Sequence, residues 1–145
     1  QIKGIDNSAG TADVGNPLIT FTARTLSNGK QQFQVIFVGP SSASAGNVYL
    51  ARADLAEFLG RWVEVEERIV CGMQGSYRVS VKRLDDGREL ISVSEPDLTM
   101  WRDGTVGMRP KWGIYRSFGT GGSLKSQLRD EMLRFADFSV EKVSR

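Results

Sequence analysis

Histidine is absent from the 145-residue chain, and cysteine occurs once, at Cys71. Without histidine the chain cannot supply a Ser-His-Asp or Cys-His arrangement, nor any imidazole base. A single cysteine forms no intrachain disulfide, and ligands for zinc are scarce. An active site in this chain would therefore have to transfer protons without imidazole.

Long apolar runs and a strong charge of either sign are also missing. No apolar stretch approaches the roughly 18 residues of a membrane span. The 19 basic and 17 acidic residues leave a net charge of only +2. This mild basicity suits an anionic partner without identifying one. The composition, 40% hydrophobic and 25% charged, is typical of a globular protein. We predict one domain over residues 1–145 and neither a membrane nor a nucleic-acid partner.

Hydrophobic residues mostly recur with a period of two, which is typical of strands with one buried face. The clearest cases are residues 19–24, 32–37 and 77–82, and an Asp86-Gly87 pair follows the last of them as a hairpin signal. Only residues 53–59, closed by Gly60, resemble a short helix. Further strand candidates are residues 62–70, 90–93, 111–116 and 133–140. The pattern predicts an all-β fold, an antiparallel β-sandwich or jelly roll.

The first five residues, Gln-Ile-Lys-Gly-Ile, already have the character of a strand. A chain that begins inside a sheet suggests that N-terminal strands are missing. We therefore expect an unpaired sheet edge beside residues 1–5, or another chain that pairs with it, because exposed edges invite association. On this hypothesis the domain is the C-terminal part of a larger one.

Residues 109–117, Arg-Pro-Lys-Trp-Gly-Ile-Tyr-Arg-Ser, are the most informative stretch. In a strand, Lys111 and Tyr115 would point to one face with Gly113 between them. They would leave an open polar shelf for a sugar ring, while Trp112 and Ile114 on the other face would enter the core.

This stretch resembles the signature strand of the jelly-roll polysaccharide lyases, a group that includes alginate, glucuronan and heparin lyases. Residues 128–138 resemble the last strand of related members, and Gln1-Ile2-Lys3 is similar to a Gln-Ile-His strand of the same clan. The resemblance implies a secreted lyase that cleaves an acidic, uronate-containing polysaccharide by β-elimination. Lys3 stands where the clan has histidine, which places the chain nearest to the lysine-using glucuronate lyase branch.

The resemblance also implies roles for individual residues. Gln1 and Arg24 would neutralise the uronate carboxylate, and Tyr115 would protonate the leaving oxygen and could also act as the base. A free tyrosine ionises only near pH ~10, so Lys111 or Arg116 would have to lie beside it. Lys3 is the second candidate base. Further substrate-binding candidates are Gln32, Gln34, Trp101 and Arg109, with Arg24 and Arg116 in the same role.

Several alternatives remain open at this point. Lys111 and Tyr115 could be a solvated lysine and an edge tyrosine, and Gln32 and Gln34 could line a wet sheet surface. The branch's pair of neighbouring tyrosines has no match here, so a lectin-like jelly roll that binds the glycan without cleaving it is the second hypothesis. A structural fragment that needs its missing strands is a weaker third.

No cofactor is expected. The oxygens of Asp6, Asn7 and Asp13 could hold calcium, but their spacing fits no EF-hand and favours a plain turn.

Overall fold

The computed structural model describes residues 1–5, 16–39, 46–102 and 104–143. Within these ranges the chain forms strands and three short 3-10 turns, with no α-helix and therefore no helix that could cross a membrane. The predicted all-β, antiparallel β-sandwich is confirmed. The proposed calcium ligands Asp6, Asn7 and Asp13, and most of the predicted loops over residues 6–17 and 39–47, lie outside the described residues.

Eight strands make up two antiparallel sheets. A five-stranded sheet has the order β4-β3-β2-β1-β8, and a three-stranded sheet has the order β5-β6-β7. The bounds are β1 Ile2–Ile5, β2 Ile19–Thr25, β3 Gln31–Val38, β4 Asn47–Asp54, β5 Val63–Val70, β6 Gly75–Arg83, β7 Glu89–Leu98 and β8 Gly107–Pro110. The 3-10 turns are Leu55–Glu57, Thr120–Gly122 and Lys125–Gln127.

The hydrophobic core lies between the two sheets. The five-stranded sheet contributes Ile2, Ile19 and Val35, and the three-stranded sheet contributes Val79 and Val81, all buried and members of one cluster. In both sheets these core residues occupy alternate positions along their strands. The two-residue period of hydrophobic residues in the sequence therefore predicted these strands correctly.

The Asp-Gly hairpin is also confirmed. Asp86 and Gly87 lie in the turn between β6 and β7, and Gly87 has the positive φ of 71° that such a turn favours. Arg83 forms ion pairs with Asp86 and, at 2.9 Å, with Glu57 in the first 3-10 turn. The Arg83 hydrogen bond lowers the pKa of Asp86 to about 2. The turn is thereby tied to the segment that follows β4.

Two boundaries differ from the prediction around β4. The helix expected over residues 53–59 is a single 3-10 turn, Leu55–Glu57, and the preceding eight residues form a strand that the period did not identify. Asp54 begins the turn, because its side chain accepts a 3.0 Å hydrogen bond from the Ala56 N–H. Pairing with β3 keeps this alanine-rich segment extended against its local helical tendency.

The unpaired edge expected beside residues 1–5 is absent, so that prediction is wrong. β1 lies between β2 and β8 and pairs with both. In the described part of the five-stranded sheet the outermost strands are β4 and β8.

Contact clustering divides the chain into two compact units, Gln1–Lys111 and Trp112–Arg145. The first contains both sheets. The second contains the last two 3-10 turns and no strand among its described residues. An aromatic contact organises the second unit locally: the Trp112 ring lies 4.7 Å from that of Phe138.

The strand predicted at residues 111–116 is therefore wrong, as is the core position of its apolar residues. β8 ends at Pro110, and Gly113 has a φ of 130°, which departs from an extended strand. Trp112 is 54% exposed and Ile114 46% exposed. Their alternation with polar residues is real, but it has no partner strand among the described residues.

The last predicted strand, residues 133–140, is absent as well. Asp137 has a φ of 54°, a left-handed conformation that interrupts an extended run. The apolar side chains on either side of it, Leu133, Phe135 and Val140, are all exposed. The segment keeps the composition of a strand without its backbone conformation.

Gly75 at the start of β6 gives a direct test of the packing between β6 and β7. A Cβ at this position would lie 2.8 Å from the Leu98 carbonyl oxygen and closer still to that of Val70. Because both obstacles are backbone, we expect Gly75→Ala to reduce the free energy of unfolding by about 3 kcal/mol or more. Gly46→Ala, where no other described residue lies within 4 Å, should change it by less than about 0.5 kcal/mol. Urea denaturation of both variants makes the comparison, and equal midpoints would contradict the packing described here.

Candidate functional site

The strands of the five-stranded sheet present a second face, opposite the core, that carries most of the predicted site residues. Ile2, Ile19 and Val35 define the core side, so residues one position away point outward. Cross-strand partners share a face, which extends the assignment from strand to strand. This surface is called the outer face, and it contains Lys3, Arg109, Thr20, Thr22, Arg24, Gln32, Gln34, Ile36, Tyr49, Arg52 and Asp54.

At one end of the outer face two cations lie directly opposite each other. Lys3 on β1 is the register partner of Arg109 on β8. Like charges in directly opposed positions destabilise a sheet. Neither residue forms an ion pair with a carboxylate among the described residues. The free protein therefore carries an electrostatic cost here that a bound anion would relieve.

Gln1 and Lys111 continue this end of the face by one residue pair. The Gln1 main-chain nitrogen donates to the Lys111 carbonyl oxygen at 3.0 Å, and the Lys111 N–H donates to the Gln1 carbonyl oxygen at 2.8 Å. This reciprocal pair extends the β1–β8 ladder past Pro110. Four residues proposed from the sequence, Gln1, Lys3, Arg109 and Lys111, are thus held on two adjacent strands.

The other end of the outer face carries Arg24 and Gln32, which are register partners on β2 and β3. Arg24 is exposed and forms no ion pair in the described part of the chain. Asp54 lies opposite Gln32 on β4, but its carboxylate is already used to begin the 3-10 turn. Arg24 is therefore a second cationic position, and it lies on the same face of the sheet as the Lys3–Arg109 pair.

Buried side chains separate the two ends. Gln34 and Ile36 are each only 3% exposed although both lie on the outer face. The Gln34 amide nitrogen donates to the Gln32 side-chain oxygen at 3.0 Å, while the Gln34 side-chain oxygen has no donor among the described residues. The accessible groups of the face are consequently the cations around its margin.

Three other predicted residues lie elsewhere. Trp101 is half-buried in the connection between β7 and β8, outside any strand, as expected for a loop residue. Tyr115 and Arg116 belong to the second unit. Tyr115 is 87% exposed, whereas Arg116 forms an ion pair and hydrogen bond with Glu131, which raises the pKa of the guanidinium.

Sequence reasoning missed two residues of the outer face, Tyr49 and Arg52 on β4. A β-bulge between Val35 and Ile36 shifts the register, so that Tyr49 is opposite Ile36 and Arg52 is opposite Gln34. The shift brings residues three positions apart onto the same face. The Arg52 guanidinium carbon lies 4.1 Å from the centroid of the Tyr49 ring, a cation–π contact.

Sequence reasoning also missed a buried acidic pair, Glu67 and Tyr77. Glu67 is on the core side of β5, and the Tyr77 hydroxyl, on a fully buried side chain, donates to it at 2.7 Å. Burial raises the pKa of Glu67, and the Tyr77 hydrogen bond only partly offsets this. The signal was present in the sequence, because Glu67 interrupts the apolar alternation of Val63, Val65 and Ile69.

The raised pKa of Glu67 has a consequence for stability. A carboxyl group whose folded pKa is above its unfolded value of 4.5 stabilises the protein below that pH, and this contribution is lost as pH rises through the folded pKa. We expect Glu67→Gln to raise the melting temperature at neutral pH and to flatten its fall above pH 4.5, since the amide oxygen can still accept from Tyr77. Glu66→Gln, on the exposed side of β5, should leave the pH dependence unchanged. A steeper fall in the Glu67 variant would contradict this assignment.

No group of three or more histidine, cysteine or acidic residues in the described ranges could hold a metal ion. The chain matches no protein-family model, no curated protein and no solved structure. Function has therefore to be argued from the outer face itself.

Proposed function

We propose that the protein binds an acidic, uronate-containing polysaccharide on the outer face of the five-stranded sheet and cleaves it by β-elimination. The observation that carries the proposal is the opposed pair Lys3 and Arg109, two cations in register without a carboxylate partner in the described structure. Arg24, Lys111 and the neighbouring glutamines add charge and hydrogen-bonding groups to the same face. A polyanion with hydroxyl groups between its charges complements such a surface.

In the proposed reaction the carboxylate of the uronate is neutralised first. Gln1, beside the Lys3–Arg109 pair, supplies this role through hydrogen bonds, which are stronger when the acceptor is charged. Arg24, at the other end of the face, binds a different carboxylate of the same polymer. Neutralisation acidifies the proton on C5. A base, Lys3 or Tyr115, removes that proton, and its electron pair forms the C4–C5 double bond as the C4–O4 bond breaks.

The departing O4 then requires a proton, and the resemblance to the polysaccharide lyases makes Tyr115 the proposed acid. Its exposed hydroxyl makes no hydrogen bond among the described residues, so the proton is not committed to another acceptor. Lys111 attracts the polyanion towards the sheet. A positioned acid or base of this kind typically contributes about 10²–10⁴-fold to the rate.

A second candidate, a lectin-like module that binds the same glycan without cleaving it, is favoured by the distribution of the groups. The outer face supplies cations and amides that can bind a glycan, all from the first compact unit. Binding requires only the cations and amides of the first unit.

The experiment that separates these functions is incubation with glucuronan, alginate and heparin in turn, followed by ultraviolet absorbance of the unsaturated uronate. Enzymatic cleavage predicts an absorbance rise with at least one polymer. Saturable binding without an absorbance change would support the lectin-like alternative. Neither binding nor cleavage of any of the three would reject the proposal.

A further inference from the structure

We infer that Arg52 forms a separate carboxylate-binding position on β4, with Tyr49 as the residue that holds its guanidinium in place. The inference rests on the proposed function, because it assigns a second uronate of the same polysaccharide to the margin of the same face. It concerns residues that neither periodicity nor resemblance identified.

The hydrogen-bond donors of Arg52 have no acceptor among the described residues. Arg52 is exposed and donates no hydrogen bond to, and forms no ion pair with, any other residue in the described ranges. Asp54, two residues further along the same face, is committed to the Ala56 N–H. Gln34 lies directly opposite Arg52 on β3, and its buried side-chain oxygen has no hydrogen-bond donor among the described residues. Arg52 therefore does not donate to Gln34.

Arg52 is held in position although it has no polar partner among the described residues. The Tyr49 ring, 4.1 Å from the guanidinium carbon, provides a cation–π contact. A held side chain loses less conformational freedom when a ligand binds. Stacking leaves the edge of the guanidinium fork available, and this fork matches the two oxygens of a carboxylate.

The place of β4 in the sheet puts Arg52 far from the Lys3–Arg109 pair. β4 is the outermost strand on the side remote from β1 and β8. Neighbouring strands lie about 4.8 Å apart, so four intervals separate the β4 and β8 axes by about 19 Å. Arg52 and the Lys3–Arg109 pair therefore mark opposite margins of the face, and a polyuronate crossing it presents different carboxylates to each.

Binding of a purified oligouronate and of its fully methyl-esterified form, measured by calorimetry at low ionic strength, tests the inference. We expect Arg52→Gln to weaken binding of the unesterified oligouronate roughly tenfold. This is the lower end of what a hydrogen bond to a charged group contributes, because Arg52 is exposed. Binding of the neutral ester should not change, because it has no carboxylate for the guanidinium. The matched control is Arg78→Gln, an exposed arginine on the outward side of β6, which should bind both ligands as the wild type does.

Two variants test the role of Tyr49. Tyr49→Phe keeps the ring and should behave as the wild type, whereas Tyr49→Leu should weaken binding of the acid alone. Equal losses for acid and ester, or no loss in Arg52→Gln, would overturn the inference. If Arg52→Gln binds normally while loss of Lys3 and Arg109 weakens binding, only this inference fails. If the wild type does not bind the acid at all, the proposed function fails with it.

Discussion

Replacing Lys3, Arg24 and Arg109 together by glutamine should weaken binding of an acidic polysaccharide by about a hundredfold or more at low salt. Each substitution removes a cation that, in this account, meets a carboxylate, and a charge-assisted contact typically contributes about 1.5–3 kcal/mol. The fold should tolerate the change, because all three side chains point away from the core. Loss of the opposed Lys3–Arg109 pair should leave the melting temperature of the free protein unchanged or slightly higher.

Salt should reduce this difference between the wild type and the triple variant. The Debye length falls from about 10 Å at 0.1 M to about 3 Å at 1 M salt, so exposed charges are screened from the polyanion. The matched control replaces Arg68, Arg78 and Lys82 by glutamine, removing three positive charges from the outward side of the three-stranded sheet. Equal losses in the two triple variants would show that net charge, and not the outer face, determines affinity.

Tyr115→Phe should lower kcat by about a hundredfold or more while the affinity for the glycan stays within a few-fold. The variant lacks only the hydroxyl, which in the proposed reaction is used mainly as O4 departs, so ground-state binding changes little. A loss of 10²–10⁴-fold is typical for removal of a general acid. Tyr115 is largely exposed, so the substitution should not disturb packing.

Initial rates and a binding titration on the same substrate distinguish the possible outcomes for Tyr115. A parallel loss of kcat and affinity would indicate that the hydroxyl binds the substrate instead of acting on it. Near-normal turnover would remove Tyr115 as the acid and leave Lys3 as the catalytic candidate. Ser92→Ala, which removes a hydroxyl from an exposed position on β7 of the other sheet, is the control and should keep full turnover.

The predictable part of the fold is the part in which local pattern and tertiary pairing agree. Alternation identified β2, β3 and β6, whose alternate side chains join the core cluster, while β5 and β7 were further strand candidates. β4 was missed because its alanines and the following Leu55–Glu57 segment favour a helical turn, and only the non-local pairing with β3 makes it a strand. Residues 111–116 have the alternation of a strand, but they have no partner strand in the described chain and do not form one.

The faces on which the candidate residues lie were partly predictable, but the way in which the strands bring these residues together was not. Alternation alone places Arg24, Gln32 and Gln34 on polar faces, yet the opposition of Lys3 and Arg109 depends on pairing between strands more than a hundred residues apart. Arg52 could not be identified, because its face depends on a bulge that leaves no clear signature in the sequence. Register between distant strands is a property of the whole sandwich, and local periodicity does not encode it.

The most direct test of the central claim is to map the glycan onto the chain by backbone amide chemical shifts during titration with an oligouronate. We predict that the perturbed amides lie in β1, β2, β3, β4 and β8, with the largest changes near Lys3, Arg24 and Arg109. The strands β5, β6 and β7 should change little. Perturbations concentrated in those three strands, or none at saturating ligand, would contradict the assignment of the outer face as the binding surface.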